Sequence, residues 1–262
     1  RGIENGLSAN PVQILNGVQR EERFGTDVTV GDVNGDGLTD LIVGAPLSDD
    51  AGGDRGRVYI FAGLEDGFFG PDPLQILRGQ RGGDRFGDAV ATCDFNGDDR
   101  MDLAVAASRY EDRTREDHVG DESGVLVYLG IGDGLDETPA TSSRGGRFDQ
   151  DGQFLPVQNL RWGQDIAAGD INGDGLCDLA VGATSTPFPG VTGAVYVFSG
   201  TPTVVDDEYP EPGGLVSIPD VIYAGDEEGQ GSSGFARRLH IQDLDGDERG
   251  EIIVGMDAYD SQ

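Results

Sequence analysis

The stretch Asp170-Ile171-Asn172-Gly173-Asp174-Gly175-Leu176-Cys177-Asp178 occurs four times in the chain, with substitutions. Residues 32–40 (DVNGDGLTD) and 94–102 (DFNGDDRMD) are close copies, and residues 243–251 (DLDGDERGE) are a diverged one. Oxygen-bearing side chains stand at positions 1, 3, 5 and 9 of every copy. Closed into a tight loop, that spacing aims four side chains at one centre, which the carbonyl of position 7 can join. A flexible cage of hard oxygen donors suits Ca²⁺. Mg²⁺ more often keeps its waters, and no Cys/His cluster invites Zn²⁺.

The candidate side-chain ligands are Asp32, Asn34, Asp36 and Asp40 in the first copy, and Asp94, Asn96, Asp98 and Asp102 in the second. The third copy offers Asp170, Asn172, Asp174 and Asp178, and the fourth Asp243, Asp245, Asp247 and Glu251. Leu38, Arg100, Leu176 and Arg249 would give the carbonyls. Up to four Ca²⁺ are expected, the fourth held least well because its last ligand is longer and its charge higher. Gly37 and Gly175 suit a positive φ, whereas Asp99 and Glu248 at that place imply strain.

An EF-hand would need a bidentate Glu at position 12 and a helix after it. Position 12 is Val43, Val105, Val181 and Val254 instead, inside short apolar runs that read as buried strands. Strand-like runs also precede the loops, such as Val28-Thr29-Val30 and Ile166-Ala167-Ala168. The loop therefore joins two strands. Aligned on the loops, four 24-residue blocks emerge at 23–46, 85–108, 161–184 and 234–257, the first and third agreeing at 15 of 24 positions. Between the blocks lie further strands around Val58–Phe61, Val125–Leu129 and Val195–Phe198, then Leu74–Leu77 and Val221–Tyr223, with an N-terminal echo at Val12–Leu15. After the second block the echo, near Val157, is faint. Four short antiparallel strands per unit and no helix describe a β-propeller blade.

Phe24-Gly25, the nine-residue loop and Gly44-Ala45-Pro46 follow one another in fixed order. So do Trp162-Gly163 with Gly182-Ala183-Thr184, Phe86-Gly87 with Ala106-Ala107-Ser108, and, furthest from the pattern, Phe235-Ala236 with Gly255-Met256-Asp257. This order resembles the FG-GAP repeat of the integrin alpha-subunit head. The expected fold is all-β: a single FG-GAP propeller over 1–262, with repeats at about 11–73, 74–156, 157–219 and 220–262. The resemblance implies seven blades, so the four present are expected to be part of a larger ring; a closed ring of four is the alternative. It also implies calcium at one rim and a protein or carbohydrate ligand at the other. The opposite-rim loops are 47–55, 109–123 and 185–192, with 79–84 and 225–233 between blades. Within 109–123, Arg109, Tyr110 and Arg113 are the candidate contact residues; a solvated excursion is the plainer reading of that loop. Residues 130–156 and 200–219 read as mobile insertions on the calcium side.

The net charge of −31 disfavours nucleic acid and anionic membranes as partners. Four Ca²⁺ would still leave about −23. No stretch approaches the ~18 apolar residues of a membrane span. Cys93 and Cys177 occupy different registers of different repeats, so two small half-buried residues are expected rather than a bridge. Of the two histidines, His118 falls in the charged loop and His240 on a strand, and neither has a nucleophile set beside it. The functional expectation is a calcium-binding, non-enzymatic adhesion or ligand-binding propeller, secreted or at the cell surface. The alternative is a secreted carbohydrate lyase or hydrolase, or its ancillary module, because propellers host both.

Overall fold

In a computed structural model, the structure describes residues 2–3, 6–7, 11–49, 53–80, 82–108, 124–149, 151–157, 161–185, 193–202, 214–216, 218–225 and 235–256. All regular structure in them is β. A two-residue hairpin, β1 (Gly2–Ile3) with β2 (Gly6–Leu7), comes first. β3 (Val28–Gly31), β4 (Asp40–Ala45), β5 (Arg57–Phe61) and β6 (Gln75–Arg78) then pair in sequence order as one antiparallel sheet. β7 (Phe86–Cys93), β8 (Asp102–Ala107), β9 (Gly124–Tyr128) and β10 (Thr141–Arg144) repeat it, and a hairpin of β11 (Gly146–Phe148) and β12 (Phe154–Pro156) follows. In the third sheet β13 (Trp162–Gly169), β14 (Asp178–Ala183) and β15 (Ala194–Phe198) are completed by β18 (Val221–Ala224). The small hairpin of β16 (Gly200–Thr201) and β17 (Gly214–Leu215) intervenes. β19 (Arg238–Gln242) and β20 (Glu251–Gly255) form the hairpin of the fourth repeat. Three four-stranded meanders and a two-stranded fourth unit are blades of a β-propeller.

The first strands of the blades are innermost. β7 lies beside β3 and β13, and β13 beside β19. Together these four line a channel of ≈ 440 Å³. The third strands β5, β9 and β15 are buried at every residue. The opening aromatic of each complete blade packs edge-on against its own third strand: Phe24 on Tyr59, Phe86 on Tyr128, and Trp162 on Tyr196 and Phe198, at 5.4–6.2 Å between ring centres. The core therefore lies within and between blades. One part of it runs from Ile42 and Ile60 to Leu103 and Leu126, another from Phe95 and Ala104 to Leu179 and Phe198.

The Gly pairs of the repeat are explained by how blades meet. A Cβ on Gly44 would come within 2.1 Å of the Gly87 carbonyl of the next blade, and one on Gly182 within 2.2 Å of the Ala236 carbonyl. At the middle junction Ala106 faces Gly163, where an added Cβ would stand 3.2 Å from the alanine methyl. Each junction thus keeps at least one glycine of the facing pair, because the backbones touch there.

Three expectations are corrected. Val12–Leu15 forms no strand. It lies along the first blade, where the Gln13 side chain exchanges hydrogen bonds with the Phe69 backbone and Leu15 packs on the Tyr59 cluster. Residues 130–156 are more than an insertion: they supply β10 and the β11–β12 hairpin, whose Gly146 carbonyl accepts the buried Tyr196 hydroxyl at 2.8 Å. Because β10 reads Thr-Ser-Ser-Arg, it carries no apolar signature, and the echo looked for near Val157 is not a strand. Finally, Cys93 and Cys177 are joined in a disulfide. Alignment by repeat separates them, but the end of β7 lies against the loop after β13. As blades, the sheets span 28–78, 86–144 and 162–224, offset from the repeat units so that Leu74–Leu77 closes the first blade.

Candidate metal centres

Each nine-residue loop joins the first strand of a blade to the second, at the same end of the channel. Its conformation comes from its own side chains. Asp32 accepts the N–H groups of Gly35, Asp36 and Gly37, while Asn34 accepts that of Asp36, and Asp36 that of Leu38. The same pattern recurs from Asp94 and Asn96 and from Asp170 and Asn172. These bonds curl the backbone round, so that position 3 meets positions 5 and 9 in the first loop and position 9 in the third. Asn34 Nδ2 is 3.1 Å from Asp36 Oδ2 and 3.4 Å from Asp40 Oδ1. In the fourth loop the carboxylates of Asp243, Asp245 and Asp247 all offer oxygens within 4.8 Å of one another. Among the described residues three carboxylates come so close only in this loop, and such an all-oxygen set fits a hard divalent cation. At the expected positive-φ place, Asp99 and Glu248 do adopt φ of 64° and 69°, as Gly37 and Gly175 adopt 83° and 87°.

Position 9 does more than end the loop. Asp40, Asp102 and Asp178 are buried, and each ties two parts of its blade together. Asp40 accepts Val33 N–H within the loop and Gly63 N–H after the third strand; Asp102 accepts Phe95 and Gly130, and Asp178 accepts Ile171 and Gly200. A side chain on Gly63, Gly130 or Gly200 would strike the position 8 carbonyl. Glu251, in the fourth loop, accepts Leu244 N–H. Burial pushes the carboxyl groups of Asp40, Asp102 and Asp178 above the ordinary range, Asp102 up to about 7 with the charges of Asp98 and Asp94 adding to the effect. Asp243 is held low, chiefly by the Gly246 N–H.

A carboxyl that is harder to ionise folded than unfolded lets the folded state bind the extra proton. Stability is then fully present below the unfolded value near 4 and is lost as pH rises through the raised one. The calcium-free protein is therefore expected to melt highest near pH 4–5 and progressively lower toward pH 7–8, with Asp102→Asn flattening the slope. A calcium-free melt that climbs steadily from pH 5 to 8 would contradict this.

The loops also dock on one another. Cys177 N–H donates to the Asp94 carbonyl, and Gly250 N–H to the Asp170 carbonyl, so position 8 of one loop rests on position 1 of the preceding one. The Cys93–Cys177 bond reinforces the first of these contacts. At the other end of the channel two aspartates staple neighbouring inner strands: Asp27 accepts Val90 N–H at 2.8 Å and Asp165 accepts Leu239 N–H at 2.7 Å. Both stand three residues after the blade's opening aromatic, where the second blade has Ala89. That spacing was the available signal for them. Arg109, Tyr110, Arg113 and His118 lie outside the described residues, as do parts of the loops 47–55, 79–84, 185–192 and 225–233. His240 lines the channel and is exposed.

A family model described as the FG-GAP repeat matches residues 24–61, 86–125 and 162–198, each running from an opening aromatic into the third strand. The chain is an FG-GAP repeat protein. It resembles integrin alpha subunits along most of its length. It is 31% identical to integrin alpha-5 of Xenopus laevis over 91% of this chain and 20% of that protein. It is 34% identical to integrin alpha-PS5 of Drosophila melanogaster over 76% of this chain and 18% of that protein. Human phosphatidylinositol-glycan-specific phospholipase D is 32% identical over 71% of this chain and 22% of that protein. The FG-GAP chain thus spans about a fifth of the length of these relatives.

Proposed function

We propose that this FG-GAP chain is a calcium-stabilised, extracellular ligand-binding propeller of the adhesion type. The observation that carries the reading is the same side-chain-built curl in all four loops, with the Asp243, Asp245 and Asp247 carboxylates gathered within 4.8 Å in the fourth and the position 9 aspartates of the first three bonded to the chain after the third strand. Ca²⁺ would be held by the side chains at positions 1, 3, 5 and 9 together with the Leu38, Arg100, Leu176 and Arg249 carbonyls. It would neutralise carboxylates that otherwise repel one another at the end of each hairpin. The similarity to integrin alpha subunits supports adhesion, with a protein or carbohydrate ligand at the loops opposite the metal sites, Arg109, Tyr110 and Arg113 among the contacts. The disulfide fits an oxidising compartment, and millimolar extracellular calcium suits sites of modest affinity. The charge of −31 argues against nucleic acid as the partner. No helix among the described residues is long and apolar enough to cross a membrane.

The test has two readings. Purified protein equilibrated in millimolar calcium should carry up to four tightly counted ions, and a count of zero would overturn the metal assignment. Replacing residues 109–123 by a short Gly-Ser turn should leave that count unchanged while removing calcium-dependent capture of extracellular proteins. Capture that survives the replacement would remove the loop from the contact surface. The phospholipase relative supports a second reading, a module of a secreted enzyme, which turnover of a carbohydrate or phosphoester substrate by the purified chain would establish.

A further inference from the structure

Where the inner strands begin, at the end of the channel away from the metal loops, a second cavity of ≈ 380 Å³ opens. Four arginines line it, Arg23, Arg85, Arg237 and Arg238, against one carboxylate, Asp88. The chain has 18 basic residues to 49 acidic ones, so this concentration of positive charge runs against the composition of the whole. Two carboxylates beside it, Asp27 and Asp165, each accept a backbone N–H of the neighbouring blade, and Asp165 also pairs with Arg238 at 3.6 Å. Asp88 faces Arg85 and Arg23 and is bonded to Ser108.

Two further observations point to a ligand. The Nε of Arg85 is buried and has no hydrogen-bond partner, a donor that costs free energy to leave unpaired. In addition, Arg23, Arg85 and Arg161 all adopt left-handed backbone conformations, with φ of 56°, 55° and 45°. Glycine takes that conformation readily, and the fourth repeat has Gly234 at the equivalent place in sequence. An arginine kept at a backbone position that disfavours it, in three repeats, with two of the three lining one cavity, directs attention to what its guanidinium does.

We propose that the arginine-lined cavity at this mouth of the channel is an anion site that takes the carboxylate side chains of an acidic peptide. Guanidinium groups match a carboxylate in a planar, two-bonded fork. The cluster already attracts one carboxylate, Asp88, whose charge faces Arg85 and Arg23, and Gln164 adds an amide donor. The positive field of the cluster is local, so the site works against the repulsion of the acidic surface only at short range. It lies at the opposite end of the channel from the nine-residue loops.

The probe is a fluorescein-labelled hexaglutamate peptide, with hexaglutamine as control, titrated into the calcium-loaded protein and read by anisotropy. Hexaglutamate should bind, more weakly as NaCl rises, and hexaglutamine should not. Arg23→Gly is the informative variant, because it removes the guanidinium while relieving the backbone. It should keep or raise the melting temperature and weaken the probe by about tenfold, the loss expected for one charge-assisted contact. Arg23→Gln combined with Arg237→Gln should abolish binding. Wild-type binding by that double variant would show bridging of the peptide by loop-bound calcium and overturns the site. Wild-type affinity in Arg23→Gly overturns the site. Binding of a sulfated oligosaccharide in place of hexaglutamate overturns the assignment to an acidic peptide.

Discussion

Stripping calcium from the purified protein is expected to lower its melting temperature by about 10–20 °C. Extracellular-type oxygen cages bind calcium with dissociation constants on the order of 10⁻⁴ M. At 1 mM free calcium such a site stabilises the folded state by about 1.4 kcal/mol, and four sites by about 6 kcal/mol if they act independently. For a chain of this size each kcal/mol moves the midpoint by about 2–4 °C. Calcium should restore the melt and Mg²⁺ should do so poorly, because Mg²⁺ gives up its waters reluctantly and wants a tighter octahedron. The loops should not respond equally. Asp170→Ala should remove one bound ion, since that loop combines all four side-chain donors with Gly175 and a buried Asp178 locked to Gly200. The fourth loop should empty first: its carboxylates are exposed, and Glu251 bonds Leu244 within the loop where its counterparts reach across to a third strand. A melt unaffected by chelation would remove the structural role of the metal. Equal rescue by Mg²⁺ would remove the choice of ion.

The blades were legible because each strand that carries the core is apolar and each loop carries its own signature. Val58-Tyr59-Ile60-Phe61 can be nothing but buried, and the Asp/Asn spacing of the loops stands out against any neighbouring turn. What could not be read was set by partners distant in sequence. β10 is polar, and only the backbone of β9 makes it a strand. Glu22 is buried at 2% exposure because Tyr59 and Ser48 bond its carboxylate and Gln19 N–H caps it; nothing local distinguishes it from the exposed Glu21 beside it. Val12–Leu15 shows the reverse error: its alternating pattern matches the fourth strands, yet pairing needs a free edge, and there it meets the side of the first blade instead. The position 9 aspartates stand out in the sequence as oxygen donors, but their bonds to Gly63, Gly130 and Gly200, which link the nine-residue loop to the chain after the third strand, depend on partners more than twenty residues away.

The cysteine pair was missed for the same reason, and its removal should have the other large effect. Cys93 ends the inner strand of the second blade, and Cys177 sits one residue before the buried Asp178 in the loop of the third. The bond closes 84 residues of chain. Restricting the unfolded chain by a loop of that length is worth about 4–5 kcal/mol in the chain-entropy model, or roughly 10–15 °C in the melt at this size. The junction it bridges is the one where Ala89 replaces the stapling aspartate found at Asp27 and Asp165, so the covalent link stands where a charge-assisted bond is absent. The double variant Cys93→Ser, Cys177→Ser avoids an odd thiol and should show that fall in calcium-saturated buffer. It should also weaken calcium at the third loop more than at the first, because Cys177 N–H and the disulfide together hold that loop on the Asp94 carbonyl. Thiol titration of the denatured, unreduced protein should find no free cysteine. Two free thiols in protein recovered from an oxidising compartment, or a double variant that melts with the wild type, would break the argument at the covalent bond and leave the loop-to-loop contacts to hold the junction alone.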